Sequence, residues 1–334
     1  MAFENDRKGA VNKLKCLVYT SKSETASFRE KIENTFYTPI LPNRVERNES
    51  VYGGVTCDVL SPEIYSSNRV VLYIHGGSFV GGSRSSWRCF CSSLATKTCA
   101  RVILPEFRLA PAFPYPAALE DIQSVFRALY TEEQVTSSLD KDENGNSVLP
   151  EFIIAADGSG CSIALALLYN LRERYRACIS NVILFSPWLN LSSESKILKA
   201  KKMSDDITSS DVLRKSSSVY TYAANTSLPL VSPLLATDEQ LMQFPPVFIQ
   251  MGEQEILKED ALAFADRLRS LGNKVEVDLW PGMMFMFQMA DEFLHESHLA
   301  LDKVGKIVTS KVNTDTAQEF ENKPRLEQSI HSEA

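Results

Sequence analysis

The sequence predicts an α/β protein built on a mostly parallel sheet, and three observations carry that expectation. Arg69–Ile74 is a continuous apolar run, the pattern of a strand buried on both faces beneath helices, and it ends in a glycine-rich loop. Ala100–Pro105 is a second such run, followed by a proline-rich loop and then a helix. A third, Phe152–Ala156, passes through Asp157-Gly158-Ser159-Gly160 directly into an apolar helical segment ending near Leu168. At 334 residues, 44% hydrophobic and 23% charged, the chain is long enough for one large domain of this class.

Taken in order, residues 1 to about 50 mix charge with spaced apolar positions (Leu14, Leu17, Val18, Phe28, Ile32), consistent with one or two amphipathic helices. Val51–Leu60 alternates after a glycine pair and reads as strands at the sheet edge. The loop after Ile74, His75-Gly-Gly-Ser-Phe-Val-Gly-Gly-Ser83, lets backbone N–H groups approach a ligand with no Cβ in the way. Pro105, Pro111, Pro114 and Pro116 fix the next loop before a helix expected to reach about Tyr130, with residues 131–149 a polar, exposed insertion. Ser192–Ser227 is polar. Ala261–Leu271 has helical spacing and ends at Gly272, and Lys274–Trp280 alternates as the last strand. Past Thr309 the composition turns polar, so 310–334 reads as a disordered tail behind a single domain over 1–309.

Net charge −7 speaks against general affinity for nucleic acid or anionic membranes. No run of about 18 apolar residues could span a bilayer, and the N-terminus lacks the apolar core of a secretory signal, so a cytoplasmic protein is expected. The seven cysteines are odd in number and contain no CxxC, which indicates neither a zinc site nor a disulfide framework; most are expected to be buried, reduced thiols. No cofactor or metal is implied.

His-Gly-Gly-x-Phe after one strand, Phe107-Arg-Leu-Ala-Pro111 with the following prolines and Asp121 after the next, and a strand–turn–helix about fifty residues later together resemble the hormone-sensitive-lipase-type carboxylesterases, which include arylacetamide deacetylases and gibberellin receptors. The similarity continues through Leu184–Leu191, Ser232–Leu234 and Pro245–Gly252 and spans roughly residues 65 to 309. It implies an α/β-hydrolase fold: an eight-stranded, mostly parallel sheet with helices on both faces and a helical lid from about 1–50 and 192–230. It also implies oxyanion donors from the N–H groups of Gly76, Gly77 and Ser159, and a bracing role for Arg108 and Asp121.

Measured against that resemblance, the reactive positions are altered. An ungapped alignment sets Ala156 to Cys161 on the six elbow positions and puts Gly158 where the nucleophilic serine belongs. A one-residue slip promotes Ser159 but breaks the glycine pattern and the helix match. Glu255, in Glu255-Ile-Leu-Lys-Glu-Asp260, takes the acid's place, and Phe285, in Gly282-Met-Met-Phe-Met-Phe287, stands where the histidine should be. Of the four histidines, His75 belongs to the glycine loop, His331 to the tail, and His295 and His298 to the presumed final helix. A serine without a neighbouring base is a poor nucleophile. The expectation is therefore a pseudoenzyme that binds an apolar or ester-like small molecule or a protein partner, with His75, Ser78, Phe79, Met284 and Phe285 around its pocket. Two alternatives stand beside it: a weak ester hydrolase using Ser159, and a structural or dimerising protein whose pocket has collapsed. The sequence leaves homo-oligomerisation open.

Overall fold

A computed structural model describes residues 2–310, apart from 43, 67 and 140–148. The expected tail and the centre of the expected 131–149 insertion therefore lie outside the described residues.

Eight strands, β1 (Val45–Tyr52), β2 (Val55–Pro62), β3 (Arg69–Ile74), β4 (Arg101–Pro105), β5 (Glu151–Asp157), β6 (Ile179–Phe185), β7 (Val247–Gly252) and β8 (Val275–Trp280), form one sheet in the order β1-β2-β4-β3-β5-β6-β7-β8. β2 runs antiparallel to both β1 and β4, and all other pairings are parallel. The helices are α1 (Ala2–Leu14), α2 (Thr25–Phe36), α3 (Arg84–Thr98), α4 (Ala117–Leu139), α5 (Gly160–Asn170), α6 (Glu173–Arg176), α7 (Lys196–Lys199), α8 (Ser210–Tyr220), α9 (Asp238–Leu241), α10 (Lys258–Ser270) and α11 (His295–Thr309). Among the described residues no helix is long and apolar enough to cross a membrane.

The apolar runs fold as their burial demands. Every residue of β3 is buried, as are all those from Gly160 to Leu168 in α5, a helix apolar all round that only a core could hold. α3 starts in a reciprocal capping box between Ser83 and Ser86 and ends on Cys99 with φ +48°. All seven cysteines are free, with Cys16, Cys57, Cys91 and Cys161 buried and the other three partly exposed.

Strand order places the site. The chain leaves β3 to pair β4 on one side and later returns as β5 on the other, so the loops after β3 and β5 open side by side at the carboxyl end of the sheet, where α/β sheets bind ligands. The register Ile74↔Ala156 brings the glycine loop level with the turn at Gly158.

Three boundaries differ from the sequence reading. α4 continues nine residues beyond Tyr130, to Leu139, because its inner stripe goes on in polar residues: Glu133 is buried and takes both carboxylate oxygens to Arg101 at 2.8 Å. The N-terminal helices stop at Phe36, and β1 begins at Val45 rather than Val51. The polar segment after Ser192 hides an apolar underside, with Ile197, Leu198, Ile207, Val212, Leu213 and Tyr220 all buried.

Candidate functional site at the β5–α5 turn

β5 ends at Asp157 and α5 begins at Gly160, so two residues make the turn. Gly158 sits at its apex with φ +48°, a left-handed conformation that costs a residue bearing a Cβ about 1–2 kcal/mol. Its N–H reaches the carbonyl of Phe185 at 2.9 Å, and its own carbonyl accepts from Trp188 at 3.1 Å. Gly160 is required by space, since a Cβ there would lie 2.2 Å from the Ile74 carbonyl oxygen. Ser159 is already helical, at φ −70° and ψ −25°.

Asp157 pins the turn from behind. Its Oδ1 accepts from the Tyr73 hydroxyl at 2.8 Å, the Gly76 N–H at 2.9 Å and Trp87 Nε1 at 2.8 Å. Burial pushes its carboxyl up to about 7 against the downward pull of these donors. The expectation that Gly76 N–H faces a ligand is thereby corrected, because that N–H is spent on Asp157; a Cβ at Gly76 would lie 2.2 Å from Asp157 Oδ2. The following N–H groups, of Gly77 (φ +92°) and Ser78 (φ +60°), have no hydrogen-bond partner among the described residues. Together with the Ser159 backbone they border the space above the turn.

That space is small: a cavity of about 20 Å³ whose wall includes Ser78, Gly158, Ser159, Trp188 and Phe285, on the scale of one water molecule. Leu17 and Val18 from the segment after α1, with Thr208, Val212 and Leu213 from the stretch before and within α8, close it. The Phe285 ring fills the rest, its Cζ lying 3.0 Å from where a Cβ on Gly158 would be. The Ser159 hydroxyl accepts from the Phe79 N–H at 3.1 Å, and among the described residues no imidazole or carboxylate is bonded to it.

Glu255 is buried after β7. Its Oε1 accepts from Gly252 N–H at 2.6 Å and from the Ser186 hydroxyl at 2.8 Å, while Ser186 in turn accepts from Met286 N–H at 3.1 Å. Oε2 is buried without a hydrogen-bond partner among the described residues. Burial pushes this carboxyl up to about 8, so it is mostly protonated at neutral pH.

Three of the expected pocket residues lie elsewhere. His75 is stacked between Phe107 and Trp87 behind the glycine loop, and burial pulls its imidazole down to about 4. Phe79 turns away to stack on Tyr220 at a 3.8 Å centroid distance. The Met284 main chain is packed against Gly252, and its side chain does not line the cavity. Ser78 and Phe285 do line it. Arg108 grips Asp121 through Nε at 3.0 Å and Nη2 at 2.8 Å, tying the proline loop to the start of α4. His295 begins α11, His298 borders a different cavity, and His331 lies outside the described residues. The residues sequence reasoning missed are Ser186 and the apolar roof. Ser186 lies inside the recognisable Leu184–Leu191 stretch; nothing in the local pattern marked Leu17, Val18, Val212 or Leu213 as its neighbours.

Comparison with known proteins agrees with this architecture. Residues 71–289 match the family model described as the α/β hydrolase fold. An esterase of Acinetobacter venetianus is 31% identical over 247 residues, covering 73% of this chain and 76% of its own. An acetyl-hydrolase of Streptomyces hygroscopicus is 28% identical, over 71% and 74%. The crystal structure of an esterase from the bacterial hormone-sensitive lipase family superposes with a TM-score of 0.79 over 92% of this chain and 99% of that one; at 23% identity the likeness is one of fold. The chain belongs to the α/β-hydrolase fold family, and the relatives it resembles there are an esterase and an acetyl-hydrolase.

Proposed function

We propose that this carboxylesterase-type protein does not hydrolyse esters through a serine triad and that its turn after β5 is held closed. The observation that carries the reading is the contact between Phe285 and Gly158, which removes the nucleophile and the base at one point and occupies the volume an acyl group would need. The buried Glu255 Oε2 without a partner supports it, since an acid in this place ordinarily has an imidazole to orient. Loss of either the serine or the histidine costs a hydrolase on the order of a million-fold in turnover. An apolar or ester-like molecule would enter only by displacing Phe285 together with the roof at Leu17 and Leu213. A cytoplasmic setting belongs to the same proposal, supported by seven unpaired thiols.

A second reading is ester hydrolysis with Ser159 as nucleophile. The names of the relatives favour it over a silent protein, and Ser159 does line the cavity. Against it, its hydroxyl has no neighbouring base.

Hydrolysis of p-nitrophenyl acetate and butyrate separates the two. Our reading expects no turnover above background in the wild type and a gain of at least tenfold in the double variant Gly158→Ser/Phe285→His. Wild-type turnover abolished by Ser159→Ala would overturn it and establish the second reading.

A further inference from the structure

The roof of the small cavity at Gly158 comes from two segments, and they are held in different ways. Leu17 and Val18 are stitched to the glycine loop: the Ser78 hydroxyl accepts from the Tyr19 N–H at 3.1 Å and donates to the Leu17 carbonyl at 3.3 Å. α1, just before them, is docked by the fully buried Ala10 and Leu14, and a Cβ on Gly9 would lie 2.5 Å from Phe293 Cε1. This half of the roof is a fixed post.

The other half, Thr208, Val212 and Leu213, follows from a tight turn. Ser204 and Ser209 pair across the base of that turn, and Asp205 Oδ1 caps it by accepting from the Ile207 and Thr208 N–H groups at 2.8 and 2.7 Å. Asp205 Oδ2 accepts from the Ile256 N–H at 3.0 Å, next to Glu255, and Asp206 Oδ2 takes Nη2 of Arg7 in α1 at 2.5 Å. Arg7 Nη1 donates to the Gly282 carbonyl, where the loop carrying Phe285 begins. One side chain thus joins the fixed post to the turn that roofs the cavity and to the loop whose ring fills it.

The Arg7–Asp206 contact is open to water, with 29% and 49% of the two side chains accessible. A surface pair of this kind shifts an equilibrium by no more than about fivefold. A weak, accessible contact at the free end of a roof is where that roof opens.

From this arrangement we infer that residues 204–213 are the movable gate of the site and that Arg7 is its latch. Release of Arg7 frees the turn and the Gly282 end of the Phe285 loop, while α1 and Leu17–Tyr19 stay in place. The inference rests on the reading that the site is closed, and it names the part that opens. What the gate uncovers, Val212, Leu213 and Phe285, is apolar, so the molecule it admits is apolar too.

The test is native-state hydrogen exchange of the full chain, read by mass spectrometry, since exchange under native conditions reports local opening. Asp206→Asn should speed exchange across 204–213 by about threefold. Arg7→Ala, which also gives up the bond to Gly282, should speed it at least about fivefold there and at 282–287. In both variants Leu17–Tyr19 and the sheet should stay within about twofold of the wild type, and so should 204–213 in Lys13→Ala, which removes the ion pair between α1 and Glu292. Unchanged exchange at 204–213 in either variant overturns the latch. So does a rise spread evenly over the sheet, the mark of general destabilisation, or an equal rise in Lys13→Ala. Ester turnover by the wild type is scored in a separate assay and would overturn the closed-site reading, so the two failures are told apart.

Discussion

Gly158 and Phe285 constrain each other, and the constraint is measurable. Placing alanine at Gly158 adds the left-handed cost of about 1–2 kcal/mol and presses a methyl group onto the Phe285 ring, 3.0 Å away. Gly158→Ala should therefore lose more stability in the wild type than in a Phe285→Leu background, and a urea-denaturation double-mutant cycle reads the difference. Glu255 supplies a pH signature at the same scale. Its folded-state carboxyl is raised to about 8 by burial, so the neutral form stabilises the fold. That contribution is complete below the ordinary carboxylate range and fades as pH rises towards 8; Asp157, raised to about 7, acts in the same direction. Glu255→Gln keeps acceptors for Gly252 and Ser186 while removing the titration. Its unfolding midpoint should fall less than that of the wild type between pH 5 and pH 8, and an equal fall would remove Glu255 from the pH dependence.

Helix α4 shows what a sequence reveals about an element and what it conceals. Its buried stripe runs through Ile122, Val125, Phe126 and Leu129 in apolar residues, then continues at the same spacing with Glu133 and Ser137. Apolar periodicity marks the first part only, because the second is buried by an ion pair whose partner, Arg101, starts β4. Glu133→Ala would remove both carboxylate oxygens that the Arg101 guanidinium binds and should cost about 2 kcal/mol in a thermal or urea midpoint, whereas Glu132→Ala on the exposed side should cost well under 1 kcal/mol. The glycine loop teaches the same lesson more sharply. Its place after β3 was readable from composition. Which N–H groups remain open was not, because Asp157, eighty-one residues further along the chain, claims that of Gly76. Likewise Phe285 could be aligned to the histidine position from sequence, but the closure of the cavity depends on Leu17, Val18, Val212 and Leu213, which only the fold brings together.

Among the described residues the sheet ends on β1, which pairs there only with β2 and leaves one backbone edge without a neighbouring strand. Glu46, Arg47 and Glu49 punctuate that strand with charge, a common defence against strand addition from another molecule. Replacing Glu46 and Asn48, two apart and on one face, with valine should promote concentration-dependent association in light scattering without unfolding; a scattering profile identical to the wild type would show that the edge is guarded by other means. The interior of the molecule has a different kind of security. Because Asp157 ties β3, β5 and α3 around the turn, its shape does not depend on any reactive side chain. The consequence is genealogical. Two of the four glycine codons become serine codons by a single base change, but a phenylalanine codon reaches histidine only by way of leucine or tyrosine, so any lineage recovering the missing pair must first pass through a descendant that carries neither phenylalanine nor histidine at 285.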